Sequence, residues 1–213
     1  LYIAMVTKRP SMLAGLLHAY ALLSEAPEAQ LAMRNSICKP GEHKSLVLWL
    51  GRRLGAAEAV RLAVTLAPTD GSADDLLLQM LQTMFPPPAD DGNEDATETE
   101  KRAAKAAADV GISITPAVIQ AVSELCTARN GNVRFLVPIV QSLPAERFLS
   151  DSLLPKLVCL PVPDQRAVFR RIELGRARLH RTEPGPPAPP IDVLVALHRL
   201  SPREHGCSQD DVM

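Results

Sequence analysis

The side chains that could hold a metal ion are scattered along this sequence of 213 residues. Its five histidines and four cysteines form neither an HExxH motif nor a CxxC pair, the spacings typical of zinc sites. The one local group of possible ligands, His205, Cys207, Asp210 and Asp211, lies in a tail without hydrophobic periodicity. We therefore expect no metal site and no cofactor.

Motifs for phosphate binding and for nucleophilic catalysis are also missing from the sequence. It contains no GxxxxGK[ST], GxGxxG or GxSxG segment. The adjacent pairs Asp74-Asp75 and Asp210-Asp211 would diverge on a helix, which suits capping or solvent contact better than acid and base catalysis. We expect that the protein is not an enzyme and has no small-molecule substrate.

The strongest chemical signal is a run of arginines. Residues 166–181 contain six arginines and a single acid, Glu173. At about 100° per residue, the apolar Val168, Phe169, Ile172 and Leu179 fall between about 200° and 300° from Arg166. The arginines Arg170, Arg171, Arg178 and Arg181 fall between about 40° and 140°. The pattern predicts a helix with one buried and one basic side.

The basic side of this helix predicts contact with anions. Arginine forms paired hydrogen bonds with carboxylates and phosphates, so an acidic protein segment or an RNA backbone would fit. Because no aromatic residues are interleaved to stack bases, we expect at most non-specific RNA contact and favour a protein partner. The candidate partner-binding residues are Arg166, Arg170, Arg171, Arg178 and Arg181. The alternative is a solvated outer face whose arginine stems cover apolar neighbours.

Residues 132–172 predict the elements that must position these arginines. Apolar residues recur there at helical spacing in three short runs, which Leu-Pro pairs at 143–144 and at 154–155 or 160–161 would end. Pro138 falls inside the first run, where it would be tolerated in an early turn or would kink the helix. Helices this short cannot bury their apolar sides alone.

The pattern of the rest of the chain also predicts helices. One helix would start at Pro27, and another would start at Thr115-Pro116 and stop at Asn130-Gly131. Ser72 and Asp75 have the spacing of a capping box. No segment shows the sustained alternation of a strand, and aromatic residues make up only 3% of the chain. The predicted fold is all-α, an α-solenoid of antiparallel helix pairs of the HEAT or armadillo type.

Charge and composition divide the predicted fold into segments. Residues 1–85 and 101–213 would be helical repeats of one continuous domain, joined by an acidic segment. This segment, residues 86–100, contains six acids and no base, and we expect a disordered loop. The net charge of −1 and the lack of an 18-residue apolar run predict no membrane binding. Because the chain begins inside an apolar run without a methionine, we expect a fragment of a larger protein.

Four stretches resemble the C-terminal domain of the symplekin family: residues 16–37, 71–85, 132–160 and 191–200. Their order and approximate spacing match, and the resemblance is strongest in the letters VRFLVPI, LPKL and VLVALH. The acidic segment and a proline-rich segment at 184–190 are longer than the family's connections, and the family's domain continues beyond residue 213. The resemblance therefore implies nothing about partner surfaces in the part of the family's domain that lies beyond residue 213.

The resemblance implies a non-enzymatic scaffold of pre-mRNA 3′-end processing in the nucleus. Family members hold together the endonuclease subunit of the cleavage and polyadenylation specificity factor, its inactive homologue, and the cleavage stimulation factor. They serve polyadenylation and, in animals, histone pre-mRNA processing. The alternative is a generic HEAT or armadillo adaptor, for example in transport or signalling, that shares the helix-pair pattern by convergence. A helical RNA-binding repeat protein is a third hypothesis.

Overall fold

The computed structural model describes residue 9 and residues 12–38, 45–87, 112–179 and 189–200. All regular secondary structure within these ranges is helical, and they contain no strand. The all-α prediction is thus confirmed for this part of the chain. Most of the acidic segment, the proline-rich segment and the tail around His205 lie outside the described residues.

The chain divides into two compact units, unit 1 (Leu1–Phe135) and unit 2 (Leu136–Met213). The sequence interpretation separated the two sets of repeats at the acidic segment, residues 86–100. In the structure the helix Pro116–Ala128, which follows that segment, belongs to unit 1. The reason is packing, because this helix lies against the helix Ala56–Leu66. A continuous solenoid remains a prediction.

Unit 1 contains α-helices of 9 to 13 residues joined by short connections where these are described. They are α1 (Met12–Leu22), α2 (Pro27–Cys38), α3 (Leu46–Leu54), α4 (Ala56–Leu66), α5 (Asp74–Met84) and α6 (Pro116–Ala128). A single 3-10 turn, Leu23–Glu25, separates the first two.

Helix α3 lies at the centre of unit 1. It contacts α2, α4 and α5, and its residues Leu46, Val47, Leu48 and Leu50 are buried. The buried Ser45 caps the helix, because its hydroxyl accepts a hydrogen bond of 3.1 Å from the Leu48 amide.

Several helix ends of unit 1 follow the predicted signals. Helix α2 begins at Pro27, and the Thr115 hydroxyl caps α6 by accepting a bond of 3.4 Å from the Val118 amide. Helix α6 stops where Asn130 and Gly131 take positive φ angles of 56° and 72°. There the Gly131 amide donates to the Cys126 carbonyl over 2.8 Å, as in a Schellman motif.

The predicted capping box at Ser72 and Asp75 is wrong. The amide and hydroxyl of Ser72 both donate to the Asp70 carboxylate, which closes a turn before the helix. Helix α5 instead starts after Ala73 without a side-chain cap. The turn is tied to α6 by the buried Arg129, which donates to the Pro68 carbonyl and lies 3.5 Å from an Asp74 carboxylate oxygen.

The central stretch forms shorter and less regular elements. They are a 3-10 helix (Val133–Ser142), α7 (Ala145–Phe148), α8 (Leu154–Val158), α9 (Val162–Leu179) and α10 (Pro190–Arg199). The first predicted run is thus a 3-10 helix that accommodates Pro138, and not an α-helix. Of the two candidate stops, Leu160-Pro161 follows α8, whereas Pro155 lies in the first turn of that helix.

The core of unit 2 joins these elements through fully buried side chains. It contains Ile139, Val140, Leu143, Phe148, Leu154, Leu157, Val158 and Val168. Helix α8 contacts α9 directly. Across the described ranges of both units, no helix combines the length and apolar character needed to cross a bilayer.

Candidate functional site

Helix α9 carries the predicted basic face and is fixed at its start by its own side chains and backbone. The amides of Asp164 and Gln165 donate to the Pro161 carbonyl over 2.8 and 3.0 Å. The Gln165 side-chain amide donates to the carbonyls of Val158 and Leu160 over 2.6 and 2.8 Å. These carbonyls lie at the last residue of α8 and two residues beyond it, so the contact satisfies unpaired acceptors at that helix end and sets where α9 begins.

The predicted arginines do not share one surface. Arg166 is exposed and Arg170 is half-buried on the first two turns of α9. Arg178 belongs to the last turn of the helix, in a part whose side chains the structure does not describe, and Arg181 lies outside the described residues. The structure therefore supports an accessible basic surface at Arg166 and Arg170.

Arg171 is buried, which corrects its assignment to the basic face. Only 4% of the residue is exposed, and its guanidinium donates a hydrogen bond of 2.8 Å to the Pro138 carbonyl. Burial lowers the pKa of Arg171 to about 10, so the side chain still carries its charge at neutral pH. On the helical wheel Arg171 is about 60° from the buried Val168 but about 140° from Arg166, so it flanks the buried side.

The sequence interpretation missed two apolar side chains that reach solvent on α9. Val162 is 50% exposed and Phe169 is 38% exposed. Phe169 was placed on the buried side, yet on the wheel it is only about 60° from Arg166 and about 100° from Val168. A buried side defined as a narrower range of wheel angles, centred on Val168 and Ile172, would have predicted that Phe169 is exposed.

These residues form a mixed surface along one side of α9, which we name the α9 face. It consists of Val162, Arg166, Phe169, Arg170 and Glu173. Aromatic residues and arginine are both enriched at protein interfaces relative to the rest of the surface. The ring can fill a partner's pocket while the guanidinium groups bind carboxylates around it. The α9 face is therefore suited to binding another protein.

Comparison with known proteins gives a match to the second part of the chain. Residues 132–213 match the family model described as "Symplekin tight junction protein C terminal". This segment is similar to the symplekin C-terminal family. The match confirms the resemblance stated from residues 132–160 and 191–200. No curated protein and no solved structure matches the chain.

The symplekin segment contains every residue of the α9 face, and it begins four residues before unit 2, at residue 132. It also contains Arg171, Gln165 and the backbone carbonyls to which they donate. The candidate surface and the side chains that position it thus lie together in the part of the chain that matches the family model.

Within the described ranges, no group of three or more histidine, cysteine, aspartate or glutamate side chains is placed to hold a metal ion. The weak candidate at His205 and Cys207 lies outside those ranges.

Proposed function

We propose that this chain is a non-enzymatic scaffold of the machinery that cleaves and polyadenylates mRNA 3′ ends in the nucleus. Its partners would be the endonuclease subunit of the cleavage and polyadenylation specificity factor, that subunit's inactive homologue, and the cleavage stimulation factor. The observation that carries the proposal is the match of residues 132–213 to the symplekin C-terminal family.

The helical structure fits a scaffold built from stacked repeats. A solenoid of HEAT or armadillo type would present its helices in series and offer a long surface to several partners at once. In unit 1 the pair α3 and α4 and the pair α4 and α6 pack side by side, as successive repeats would require.

The α9 face is the proposed contact for an acidic segment of a partner. Arg166 and Arg170 supply positive charge, and Phe169 supplies apolar area beside them. Arg178 and Arg181 remain proposed contacts of the same partner. Arg171 takes no part, since its guanidinium is directed to the Pro138 carbonyl.

The proposal is tested by pull-down from nuclear extract with the tagged full chain. Antibodies to the endonuclease subunit, its inactive homologue and the cleavage stimulation factor report capture. The variant Arg166→Glu/Arg170→Glu should reduce capture of at least one of them at least fivefold, because two attractive contacts become repulsive. Circular dichroism shows that the variant is folded.

The matched control is Arg52→Glu/Arg53→Glu, which reverses two exposed arginines at the end of α3 in unit 1. It should leave capture unchanged. Failure of the unaltered chain to capture any processing subunit would overturn the proposal and favour a generic helical adaptor. If the α9 variant and the control variant capture the subunits equally well, the α9 face is not the contact, and the scaffold proposal itself still stands. Tight binding of generic RNA that weakens steeply with salt would favour the RNA-binding hypothesis.

A further inference from the structure

The two accessible arginines of the α9 face lie close together and have no partner within the described part of the protein. Arg166 and Arg170 are four residues apart, which places them about 40° apart around α9 and about 6 Å apart along it. Neither guanidinium makes a hydrogen bond or an ion pair with another residue of the described ranges. Side chains at this spacing are neighbours on a helix surface, so both guanidinium groups can reach one bound anion.

Other arginines of the protein have internal partners. Arg61 and Arg129 lie beside carboxylates of unit 1, and Arg171 donates to a backbone carbonyl. Their charges are therefore already used to hold helices together. The positive charge of the α9 face has no such structural role.

The positive charge on this face is also short. In the part of α9 whose side chains are described, the uncharged Val162 precedes Arg166 by one turn, and the exposed Glu173 follows Arg170 by about 4.5 Å along the helix. A long polyanion lying along α9, such as an RNA strand or a run of several acids, would be repelled by the Glu173 carboxylate. The face therefore suits one compact anion that carries about two charges.

A phosphorylated serine or threonine has these properties. Its phosphate carries a charge of about −1.5 to −2 at neutral pH and has three strong acceptor oxygens. It can therefore accept hydrogen bonds from both guanidinium groups and neutralise both. A single carboxylate carries one charge and has two oxygens, which one guanidinium binds in the paired geometry.

An apolar row lies beside the two arginines. Val162 and Phe169 are 50% and 38% exposed, and they lie about 40° and about 60° from Arg166 on the same side. Successive residues of an extended chain are about 3.3 Å apart. The residues next to a phosphate bound by the arginines can therefore reach the Phe169 ring.

We propose that the α9 face binds a segment of a partner protein that is phosphorylated on serine or threonine. Arg166 and Arg170 hold the phosphate, and an apolar residue within two positions of it packs on Phe169. The inference rests on the proposed function, in which this face contacts an acidic segment of a partner. It adds that a kinase acting on the partner controls the contact.

A degenerate peptide library tests the inference without any assumption about the identity of the partner. The probe is a pool of peptides with one fixed phosphoserine between random residues, and two further pools carry serine or glutamate at that position. The immobilised full chain should retain at least tenfold more of the phosphoserine pool than of either other pool, because only the phosphate engages both arginines fully. Sequencing of the retained peptides should show apolar residues enriched within two positions of the phosphoserine.

Three variants of the full chain assign the preference to the α9 face. Arg166→Gln/Arg170→Gln should abolish the preference for phosphoserine. The matched control Arg52→Gln/Arg53→Gln should keep it, because these exposed arginines of α3 are consecutive and lie about 100° apart, so they cannot converge on one phosphate. Phe169→Ala should lose the apolar enrichment and keep the preference for phosphoserine. Circular dichroism shows that each variant is folded.

Several library results would overturn the inference. They are equal retention of the phosphoserine and serine pools, equal retention of the phosphoserine and glutamate pools, and a preference that survives in the Arg166→Gln/Arg170→Gln variant or is lost in the control. Displacement of the phosphoserine pool by a lower concentration of poly-uridylate would also overturn it and would favour RNA as the ligand.

Pull-down from nuclear extract separates this inference from the proposed function. Treatment of the extract with a protein phosphatase, which is inhibited before the chain is added, should lower capture of at least one processing subunit at least fivefold. Capture that is unchanged by the phosphatase would overturn the inference and leave the scaffold proposal standing. A phosphoserine preference without capture of any processing subunit would support the inference and contradict the proposed function.

Discussion

In unit 1 the described α-helices have 9–13 residues, and each packs against at least one neighbour along its length. Unit 2 begins with short pieces instead, since α7 has four residues and α8 has five. Such short helices cannot form alone, so their geometry depends on buried side chains and on hydrogen bonds to the backbone. Gln165 and Arg171 provide such bonds.

The two units also differ in the apolar side chains they leave exposed. In unit 1 the exposed Leu22, Leu31 and Leu54 lie on three different helices. Single exposed leucines of this kind are normal on protein surfaces. In unit 2 the exposed apolar residues concentrate on α9 and α10 at helical spacing. The comparison indicates that unit 1 buries its helices by itself, whereas unit 2 has surfaces that suit a partner.

The largest expected difference between the units comes from shortening one leucine in each. Leu76 is fully buried in α5, so Leu76→Ala should lower the free energy of unfolding by about 2–5 kcal/mol. Leu194→Ala should change it by less than about 0.5 kcal/mol, because that side chain is exposed. Urea unfolding followed by circular dichroism measures both, and the fluorescence of Trp49 reports on unit 1. A large loss from Leu194→Ala would contradict the comparison.

A smaller effect is expected from Gln165→Ala, which tests whether side-chain bonds to the backbone hold unit 2. The substitution removes two hydrogen bonds to carbonyls beside α8, so it should lower the stability of unit 2 by about 1–2 kcal/mol. Hydrogen exchange should become faster in α8 and α9 while α3 and α5 keep their protection. The control is Gln120→Ala, whose side chain is exposed on α6 and bonds only within that helix. Faster exchange in unit 1 would contradict the expectation.

The smallest effect concerns pH and the ionic contact of unit 1. Partial burial raises the pKa of Asp74 even though Arg129 lies nearby and favours its ionised form. The folded state therefore binds a proton at higher pH than the unfolded chain does. As pH falls through this raised pKa, the unaltered chain should gain stability relative to Asp74→Asn, and the gain should level off below about pH 3.9. Thermal unfolding of both proteins between pH 3.5 and 7 measures the difference, and the opposite slope would contradict the assignment.

Helices that carry strong local signals could be predicted from the sequence. Proline at a first turn, threonine before it and glycine after the last turn act within a few residues, so Pro27, Thr115-Pro116 and Asn130-Gly131 marked real ends. The capping box at Ser72 failed because Asp70 accepts the hydrogen bond from the Ser72 amide that the box would give to Asp75, and it also accepts from the Ser72 hydroxyl. Two local motifs competed for the same donors, and spacing alone could not decide between them.

The candidate site was only partly predictable, for a different physical reason. The periodicity of α9 identified Arg166 as exposed and Val168 as buried. It could not show that the carbonyl of Pro138 would lie beside Arg171, because that contact joins residues 33 positions apart. The exposure of Ile191 and Leu194 was equally hidden, since a helix that is apolar on two sides has the same sequence pattern whether its second side is covered or open.

The exposure of Ile191 and Leu194 on α10 has a consequence for how much of this protein a cell can keep. Exposed apolar side chains promote aggregation and recognition by quality-control proteins. Copies made in excess of a partner that covers these side chains would therefore be removed. A partner present at about a hundred times its dissociation constant would add about 2.7 kcal/mol to the folded state. The abundance of the chain would then follow the supply of that partner.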